Sequence, residues 1–543
     1  MLYVRATPTW ALRRLYIVGA LCWLGVLWGY GALYSANKPL FVVIAPVVIF
    51  LVLYHLLSYA QLLYYQQFDI RSHQRRVQRF DPRTLTKARD VPLVDIFLPI
   101  CGEDARVLDK TFEAVAALRY PRTAVYVLDD KGVAEHRRLA LQHGFTYLSR
   151  RKKGHLKKAG NLKYGLEHSR GDFVAIFDAD FAPHPDFITE LLPYMRDPKV
   201  GIVQSPQYFQ ADTAVHRRSP LEYGAAQVQE DFYRYIQVAR DRLGAPVCCG
   251  SNALYRRAAL DAIGGIVQIE HSEDAYTGFE LLNRGWKVRY LPIILAVGLC
   301  PSDFQAYFHQ QHRWASGSLQ LMLDQRFWRS NLSLKQKLCF IAGFLYYLSH
   351  PISLLFSFQI FALLFFFHAN MRWEDALPFV PSMLFALVFV PRFRIAKGRL
   401  GTFVTRHAYL YSSSHAFVVT LLRRTCAWQP AGTARRSVSR EYRQQLHLVA
   451  GYFFLYVSLV AVSLAAGVLR VLDAQEYTLL FWIFYNLCAT SLVLYHSYAV
   501  VDRAKKLEAW ESGNQHAHLR WRLRTAGAYG ALLAVVCGAI IIR

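Results

Sequence analysis

The order of apolar and polar positions divides this chain into long hydrophobic runs and one extended polar region. A helix needs about 20 apolar residues to cross a hydrocarbon core of ~30 Å. Runs that approach this length lie at residues 15–33, 40–63, 338–367, 376–390, 448–469, 479–500 and 526–542. They predict seven membrane-spanning helices, two before the polar region and five after it. Pro351 lies in the overlong third run, which it is expected to bend or to divide into an interfacial entry and the span itself.

Lys and Arg residues cluster beside these runs and indicate how the helices are oriented. Cytoplasmic loops of membrane proteins carry an excess of basic residues. The basic clusters lie at residues 71–89, 392–399 and 503–524. All of them can face the cytoplasm if the N-terminus is also inside, and seven spans then leave Arg543 outside. The long polar region is therefore expected in the cytoplasm.

The polar region, residues 91–328, has the pattern of an α/β domain. Strand-like apolar runs at 94–98, 124–128 and 173–177 alternate with helical stretches, as a mostly parallel sheet requires. These runs end in acidic or glycine-rich turns. Because ligands of open α/β sheets bind beyond the carboxyl ends of the strands, we expect the chemistry at those turns.

Composition agrees with a membrane protein and narrows the function classes. Hydrophobic residues make up 54% of the 543 residues and charged residues 19%, against about 25% charged residues in an ordinary globular domain. Disorder, a collagen-like repeat and a small disulfide-stapled scaffold are excluded. The nine cysteines form no C-x-x-C pair, which argues against a disulfide framework or a zinc knuckle. The net charge of +25 suits nucleic acid, anionic lipid and phosphorylated substrates equally, so it selects no partner.

Paired carboxylates follow two of the predicted strands. Asp129 and Asp130 come directly after the second strand-like run. Asp178 and Asp180 form a D-x-D sequence after the third run. In extended backbone alternate residues point the same way, so both carboxylates of a D-x-D sequence are able to hold a hard cation bound to phosphates. The alternative for an acidic residue at a strand end is a turn former or a helix cap.

Two further motifs lie later in the polar region. They read His271-Ser272-Glu273-Asp274 and Gln310-Gln311-His312-Arg313-Trp314. The first precedes a helical stretch from Ala275, where Asp274 is either a catalytic base or part of an ordinary helix start. In the second, Gln310 and Arg313 share a helix face at i and i+3, and Trp314 offers a broad stacking surface. The alternative for an Arg-Trp pair is interfacial anchoring.

Taken in order, the four motifs resemble the D, DxD, (T/S)ED and QxxRW series of family 2 glycosyltransferases of the cellulose synthase superfamily. Supporting sequences are Lys158-Ala159-Gly160-Asn161, Gln204-Ser205-Pro206-Gln207 and Cys249-Gly250-Ser251-Asn252-Ala253. The resemblance covers about residues 94–322 and extends more loosely into the following runs. It implies an α/β GT-A domain inserted in an α-helical transmembrane bundle, which binds a UDP-sugar and adds the sugar, with inversion, to a growing chain.

The resemblance also implies roles for the residues that would bind the nucleotide sugar. Asp129 and Asp130 would accept hydrogen bonds from uracil or ribose. Asp178 and Asp180 would hold Mg²⁺ or Mn²⁺ on the diphosphate, where the cation neutralises charge as the leaving group departs. Lys158 would add a fixed positive charge to the same phosphates.

The later motifs would supply the base and the acceptor site. Asp274 would be the general base that takes the proton from the acceptor hydroxyl. Gln310 and Arg313 would lie against the diphosphate, and Trp314 under the terminal sugar of the acceptor.

One further turn matches the family, and one residue after the D-x-D sequence differs from it. The turn formed by Cys249, Gly250 and Ser251 resembles the element that lines the acceptor site. The family often has His directly after the D-x-D sequence, whereas this chain has Phe181. A third protein ligand for the metal is therefore in doubt.

The layout bears on the product and its export. A polymer rich in hydroxyls cannot cross the hydrocarbon core unaided, and the resemblance implies a channel formed by the spans. Cellulose synthases regulated by cyclic-di-GMP carry a β-barrel and an F-x-V-T-x-K gating loop, and neither is expected here, so direct binding of cyclic-di-GMP is not expected either. The segment at 425–433 stands at the loop position and is either a lid over the active site or a static turn. Synthesis of a curdlan-type β-1,3-glucan from UDP-glucose is favoured, with cellulose or mixed-linkage glucan as the alternative.

These expectations define the regions of the chain, its location and its partners. The regions are 1–66 with two spans, 67–90 as a basic cytoplasmic linker, 91–328 as the GT-A domain, 329–400 with an interfacial segment and spans three and four, 401–446 with an interfacial helix and the gating loop, and 447–543 with spans five to seven. The expected location is the bacterial inner membrane, with accessory periplasmic or membrane proteins as further partners and no nucleic acid. A catalytically silent scaffold or transporter is the alternative class, although the intact acidic motifs argue against it.

Overall fold

The described part of the chain covers the polar region almost completely and the hydrophobic regions in part. The computed structural model describes residues 2–3, 7–36, 38–80, 91–210, 220–301, 303–358, 361, 377–378, 380–390, 400–422, 438–465, 477–512, 516–525 and 527. Two predictions lie outside these residues: the gating loop at 425–433 and all but one residue of the seventh span at 526–542.

Strands are concentrated in the polar region, and helices occur throughout. The strands are β1 Leu2–Tyr3, β2 Val94–Ile100, β3 Thr123–Asp129, β4 Thr146–Leu148, β5 Phe173–Ile176, β6 Phe181–Pro183, β7 Val200–Gln204, β8 Tyr208–Gln210, β9 Ala253–Arg256, β10 Lys287–Tyr290, β11 Ile293–Ile294 and β12 Ala296–Leu299. The helices are α1 Thr9–Ala36, α2 Lys38–Leu62, α3 Ile70–Gln78, α4 Ala105–Ala116, α5 Ala134–Gln142, α6 Lys157–Glu167, α7 Phe187–Leu191, α8 Pro220–Asp231, α9 Gln237–Arg242, α10 Arg257–Ala262, α11 Glu273–Asn283, α12 Phe304–Leu323, α13 Gln325–Trp328, α14 Leu334–Phe356, α15 Val380–Leu384, α16 Leu400–Leu421, α17 Arg440–Ala465 and α18 Tyr477–Glu511. A 3₁₀ turn at Leu192–Arg196 and π-helical turns at Phe232–Ile236 and Phe385–Phe389 extend α7, α8 and α15.

A seven-stranded mixed sheet forms the centre of the polar region. Its strand order is β10-β7-β9-β5-β2-β3-β4, and β9 runs antiparallel to both neighbours while the other pairs are parallel. A smaller sheet, β6-β12-β8, stands beside it. The predicted strands at 94–98, 124–128 and 173–177 are confirmed as β2, β3 and β5, with ends shifted by one or two residues.

Strand β2 lies in the interior of the sheet, which explains why most of its residues are apolar. All seven of its residues are buried. Ile96 and Leu98 belong to the hydrophobic cluster on one face of the sheet, and Phe97 belongs to the cluster on the other face. A central strand with helices on both sides is built largely from apolar side chains, because neither face reaches water. The exception, Asp95, is buried and paired with Arg257 at 2.8 Å.

The hydrophobic runs form long helices, of which a subset meets the requirements for a membrane span. Within the described residues, four helical segments are long and apolar enough to cross a membrane: Thr9–Gly31, Phe41–Leu62, Leu334–Phe356 and Arg440–Val462. The predicted run at 479–500 lies within α18, and the short run at 376–390 contains α15 and its π-helical turn. Four apolar helices are consistent with a membrane protein, and the count of seven stays a prediction.

The third predicted span differs from its sequence pattern at both ends. Helix α14 begins at Leu334, where Ser333 and Gln336 form a reciprocal capping box. It continues without interruption through Pro351 to Phe356. Of the two expectations for Pro351, a division of the helix is therefore wrong, and a bend stays a prediction. The capping box explains the early start, because it satisfies backbone N–H groups that precede the apolar residues.

Helix α3 joins the two N-terminal apolar helices to the α/β region through a buried polar contact. One imidazole nitrogen of His73 lies 2.5 Å from Glu190 Oε2, and the other lies 2.8 Å from the hydroxyl of Tyr194. His73 is only 2% exposed. The contact therefore fixes the helix that follows α2 against the 3₁₀ turn and α7.

We expect His73→Ala to destabilise the folded chain by about 1–3 kcal/mol, because Glu190 is left buried without this partner. The measurement is thermal unfolding of the detergent-solubilised protein. A matched control is His168→Ala, which removes a surface imidazole that bonds only within its own helix. Equal melting temperatures for the two variants would contradict the assigned role of the contact.

Candidate active site

One cavity lies where the central strands of the large sheet end. It opens beyond the carboxyl ends of β2, β3 and β5, where an α/β sheet is expected to bind its ligand. Predicted site residues on its wall are Asp130, Lys158, Asp178, Asp180, Cys249, Asp274, Gln310, Arg313 and Trp314. All four sequence motifs therefore meet at one place. The predicted residues Asp129, Gly250 and Ser251 do not line the cavity, although Gly250 and Ser251 contact residues that do.

Asp129 is enclosed by hydrogen-bond donors from its own turn. Its carboxylate accepts the backbone N–H groups of residues 131–133 at 2.8–2.9 Å and the hydroxyl of Tyr147 at 2.9 Å. Burial opposes its charge, but the hydrogen bonds from His136 and from the turn hold the pKa of Asp129 at about 2. This geometry favours the turn-forming alternative for Asp129. A contact with the nucleotide remains a prediction.

Asp130 stands on the cavity wall and is paired with a buried guanidinium. Arg150 donates to its two carboxylate oxygens at 2.6 and 2.9 Å, and the N–H of Gly154 donates at 3.0 Å. A bidentate pair of this kind has a defined direction as well as a charge. The basic segment that follows β4 is thereby fixed at the edge of the cavity beside Asp130.

The two carboxylates of the D-x-D sequence reach the same cavity, although not by the expected route. Asp178 follows the end of β5, and Asp180 lies in a turn, so the backbone between them is not extended. Lys158 donates to Asp178 Oδ1 at 2.5 Å. Burial, together with the charge of Asp178, raises the pKa of Asp180 to about 7. The site therefore concentrates negative charge that a cation would relieve.

Glu103 is a residue on the cavity wall that the motifs did not identify. It follows β2, is 8% exposed and accepts the N–H of Cys101 at 2.6 Å. Burial raises the pKa of Glu103 to about 7, and its charge in turn helps to raise that of Asp180. Its position directly after the first buried strand was the available signal, because the carboxyl ends of neighbouring parallel strands meet at one edge.

The carboxylate oxygens on the wall fit a hard divalent cation that the protein would hold through few ligands. Asp178 and Asp180 offer carboxylate oxygens, which Mg²⁺ and Mn²⁺ prefer. Phe181 packs against Phe209 with ring centroids 5.4 Å apart and offers no donor atom. Across the described ranges, no group of three His, Cys, Asp or Glu side chains is spaced to hold a metal ion. The remaining ligands of such a cation would be substrate phosphates and water.

Asp274 lies in the first turn of α11, which begins at Glu273, two residues earlier than predicted. Ser272 adopts a left-handed conformation with φ 58° and makes no side-chain cap. The carboxylate of Asp274 accepts the adjacent N–H of Ala275 at 2.7 Å. Burial raises the pKa of Asp274, and the charge of Lys158 opposes this rise. A half-buried carboxylate on the cavity wall is suited to accept a proton.

The QxxRW motif lies on α12, which packs closely on the turn before α11. Asp303 caps this helix by accepting the N–H of Ala306. A side chain at Gly317 would collide with Ser272, so glycine permits the close approach of the two segments. The predicted i, i+3 arrangement is confirmed, because Gln310, Arg313 and Trp314 all line the cavity.

Comparison with known proteins finds a family and relatives that the polar region resembles. Residues 92–317 match the family described as glycosyltransferase like family 2. Cellulose synthase 1 of Komagataeibacter xylinus is 33% identical over 278 residues, which are 49% of this chain and 18% of that protein. A cellulose synthase catalytic subunit of Xanthomonas axonopodis pv. citri is 32% identical over 260 residues, which are 47% of this chain and 36% of the subunit. The match thus covers less than two fifths of either relative.

Among solved structures, a mannosyltransferase from Pyrobaculum calidifontis, in complex with GDP-Man and Mn²⁺, aligns with 70% of this chain and 99% of its own. The two are 20% identical, with a TM-score of 0.49. The family match and the mixed α/β sheet support the expected GT-A type of fold. Residues 92–317 therefore match a glycosyltransferase-like family 2 domain, and this part of the chain is similar in sequence to the catalytic subunits of bacterial cellulose synthases.

Proposed function

We propose that this protein is a processive, inverting glycosyltransferase that polymerises glucose from UDP-glucose into a β-glucan. The observation that carries the proposal is the meeting of Asp178, Asp274 and Trp314 on the wall of one cavity. Sugar transfer requires a site that binds the charged diphosphate, a base that accepts the proton of the acceptor hydroxyl, and a surface on which the sugar ring stacks. The relatedness to cellulose synthases supports a nucleotide sugar as donor and a polysaccharide as acceptor.

In the proposed reaction, an acceptor hydroxyl attacks the anomeric carbon of glucose while the bond from that carbon to the diphosphate breaks. Asp274 takes the proton of the hydroxyl, and UDP leaves with the electron pair of the broken bond. Arg313 and Lys158 hold the diphosphate by charge, and Trp314 stacks under the terminal sugar. A divalent cation held by the D-x-D carboxylates would neutralise charge on the leaving group. Attack from the side opposite the diphosphate gives the β-anomer.

The product linkage and the export route are further parts of the proposal. The relatives are named cellulose synthases and support a β-1,4-glucan. The layout of the chain favours a curdlan-type β-1,3-glucan, and we propose the two linkages on an equal footing. Apolar helices before and after the catalytic domain support export of the polymer through the same chain. We place the protein in the bacterial inner membrane with the catalytic domain in the cytoplasm.

The decisive experiment supplies purified, detergent-solubilised protein with UDP-glucose labelled in the glucose and with Mg²⁺ or Mn²⁺. An insoluble labelled polymer is expected. Digestion by an endo-β-1,3-glucanase identifies curdlan, and digestion by an endo-β-1,4-glucanase identifies cellulose. A lack of polymer from UDP-glucose and other UDP-sugars, with UDP still bound, would instead favour the catalytically silent scaffold.

A further inference from the structure

A turn behind the cavity contacts three of its charged groups at once. This turn, Cys249 to Asn252, precedes β9. Ser251 Oγ accepts the N–H of Asp178 at 2.9 Å, and the carbonyl of Gly250 accepts from Lys158 at 3.4 Å. The Cα of Gly250 packs directly against Asp274, since a Cβ there would lie 2.7 Å from Asp274 Oδ2. The position of this turn therefore decides where the cation site and the base stand relative to each other.

The approach to the turn is held by glutamine side chains rather than by sheet or helix bonds. Gln204 accepts the N–H of Cys249 at 3.1 Å and donates to the carbonyl of Val247 at 2.6 Å. Gln237 donates to the same carbonyl at 2.7 Å and accepts the N–H of Val247 at 2.9 Å. Both glutamines are fully buried. They satisfy backbone groups that would otherwise be unpaired in the interior.

Gln207 holds the last backbone group before Gly250. Its amide donates to the carbonyl of Cys249 at 3.0 Å, and its own carbonyl accepts the hydroxyl of Tyr233 at 3.0 Å. Unlike Gln204, Gln207 also forms part of the cavity wall. It is 7% exposed, so water competes little for either hydrogen bond. The direction of the peptide that leads into Gly250 therefore depends on one oriented amide.

We propose that Gln207 is a positioning residue for sugar transfer, which orients the Cys249–Gly250 peptide and through it the carboxylate of Asp274. This inference rests on the proposed function. The chain of contact runs from Tyr233 to Gln207, from Gln207 to the carbonyl of Cys249, and from Gly250 to Asp274. A displacement of about 1 Å at a reacting group can cost about 10²-fold in rate, so a loose turn lowers turnover without removing any group that binds the substrate.

The test is Gln207→Met, which keeps the length of the side chain and removes both hydrogen bonds. We expect kcat for glucose transfer to fall by about 10- to 100-fold. The KM for UDP-glucose and the Kd for UDP are expected to change by less than about threefold, since Asp178, Lys158 and Arg313 are intact. Tyr233→Phe should lower kcat in the same direction, and the double variant should lose less than the sum of the two effects.

A second readout needs no turnover. Amide hydrogen exchange of the full-length protein in detergent is expected to accelerate in peptides that cover residues 247–252 when Gln207 is replaced by Met. The matched control is Gln336→Met, which removes another amide that donates to a backbone carbonyl, that of Gly244 at 2.9 Å, outside the cavity. The control is expected to leave exchange in 247–252 and kcat unchanged.

Two results would overturn the inference. One is wild-type exchange in residues 247–252 of Gln207→Met. The other is a parallel loss of kcat, UDP affinity and melting temperature, which a merely structural residue would produce. If the wild-type chain makes no polymer, the proposed function fails, and the exchange experiment still decides whether Gln207 holds the turn.

Discussion

Asp274→Asn is expected to lower the rate of glucose transfer by about 10²- to 10⁴-fold and to leave the affinity for UDP near its wild-type value. The amide of asparagine has the shape of the carboxylate and fits against Gly250, but it cannot take the proton from the hydroxyl of the acceptor sugar. In the proposed reaction, nucleotide affinity comes from other groups on the wall, among them Lys158 and Arg313. The measurements are the initial rate of label incorporation and calorimetric titration with UDP.

The control for this prediction is Asp261→Asn, the same chemical change at an exposed position on α10. It is expected to leave both the rate and the UDP affinity unchanged. Wild-type turnover in Asp274→Asn would exclude Asp274 as the base. A large loss of UDP affinity would show that the residue acts in binding rather than in proton transfer.

The same residue predicts the acid side of the pH profile. Asp274 accepts a proton only when it is ionised, and burial raises its pKa above the usual value for aspartate, about 3.9. The kcat should therefore decline on acidification at a higher pH than an exposed aspartate would produce. The residual activity of Asp274→Asn should lack this decline. An identical acid limb in both proteins would assign the limb to another group.

Asp180→Asn is expected to weaken the binding of Mn²⁺ and to remove polymer synthesis at ordinary metal concentrations. Disturbing even an outer partner of a metal site costs about 10- to 100-fold in affinity, so loss of a carboxylate ligand should cost at least this much. The reason is the concentration of negative charge at the site, where burial and the charge of Asp178 already raise the pKa of Asp180 to about 7. The measurement is calorimetric titration with Mn²⁺ in the presence of UDP.

A matched control is Asp197→Asn, which removes an exposed carboxylate paired with Lys287 on the surface. Metal affinity in this variant should equal that of the wild type. Excess EDTA should stop synthesis by the wild-type protein, and added Mg²⁺ or Mn²⁺ should restore it. Full activity in EDTA would remove the cation from the proposed reaction.

Some features followed from local sequence because their physical cause is local. The alternation of apolar runs with acidic turns predicted β2, β3 and β5, since a buried strand needs apolar side chains and its end needs a turn. Helical spacing placed Gln310 and Arg313 on one face of α12, and the helix confirms it. These predictions required only the period of the backbone.

Other features depended on partners far along the chain. Asp129 and Asp130 are neighbours of the same type, yet one closes its own turn and the other pairs with Arg150. The D-x-D sequence was expected to be extended, and instead a turn brings Asp180 to the wall. Glu103 belongs to none of the sequence motifs, and only its burial near Asp180 distinguishes it from other acidic residues that follow a strand.

The sequence by itself determined the class of the fold, the order of the motifs and the chemistry that each motif offers. The fold class follows from the period of the apolar residues, and the chemistry of each motif follows from the identity of neighbouring residues. Only the tertiary structure decided which carboxylate faces the cavity, how far Gly250 approaches Asp274, and that Gln207 holds the turn between them. The physical reason is that a hydrogen bond or a contact depends on distance in space, and the sheet brings together residues that the sequence separates.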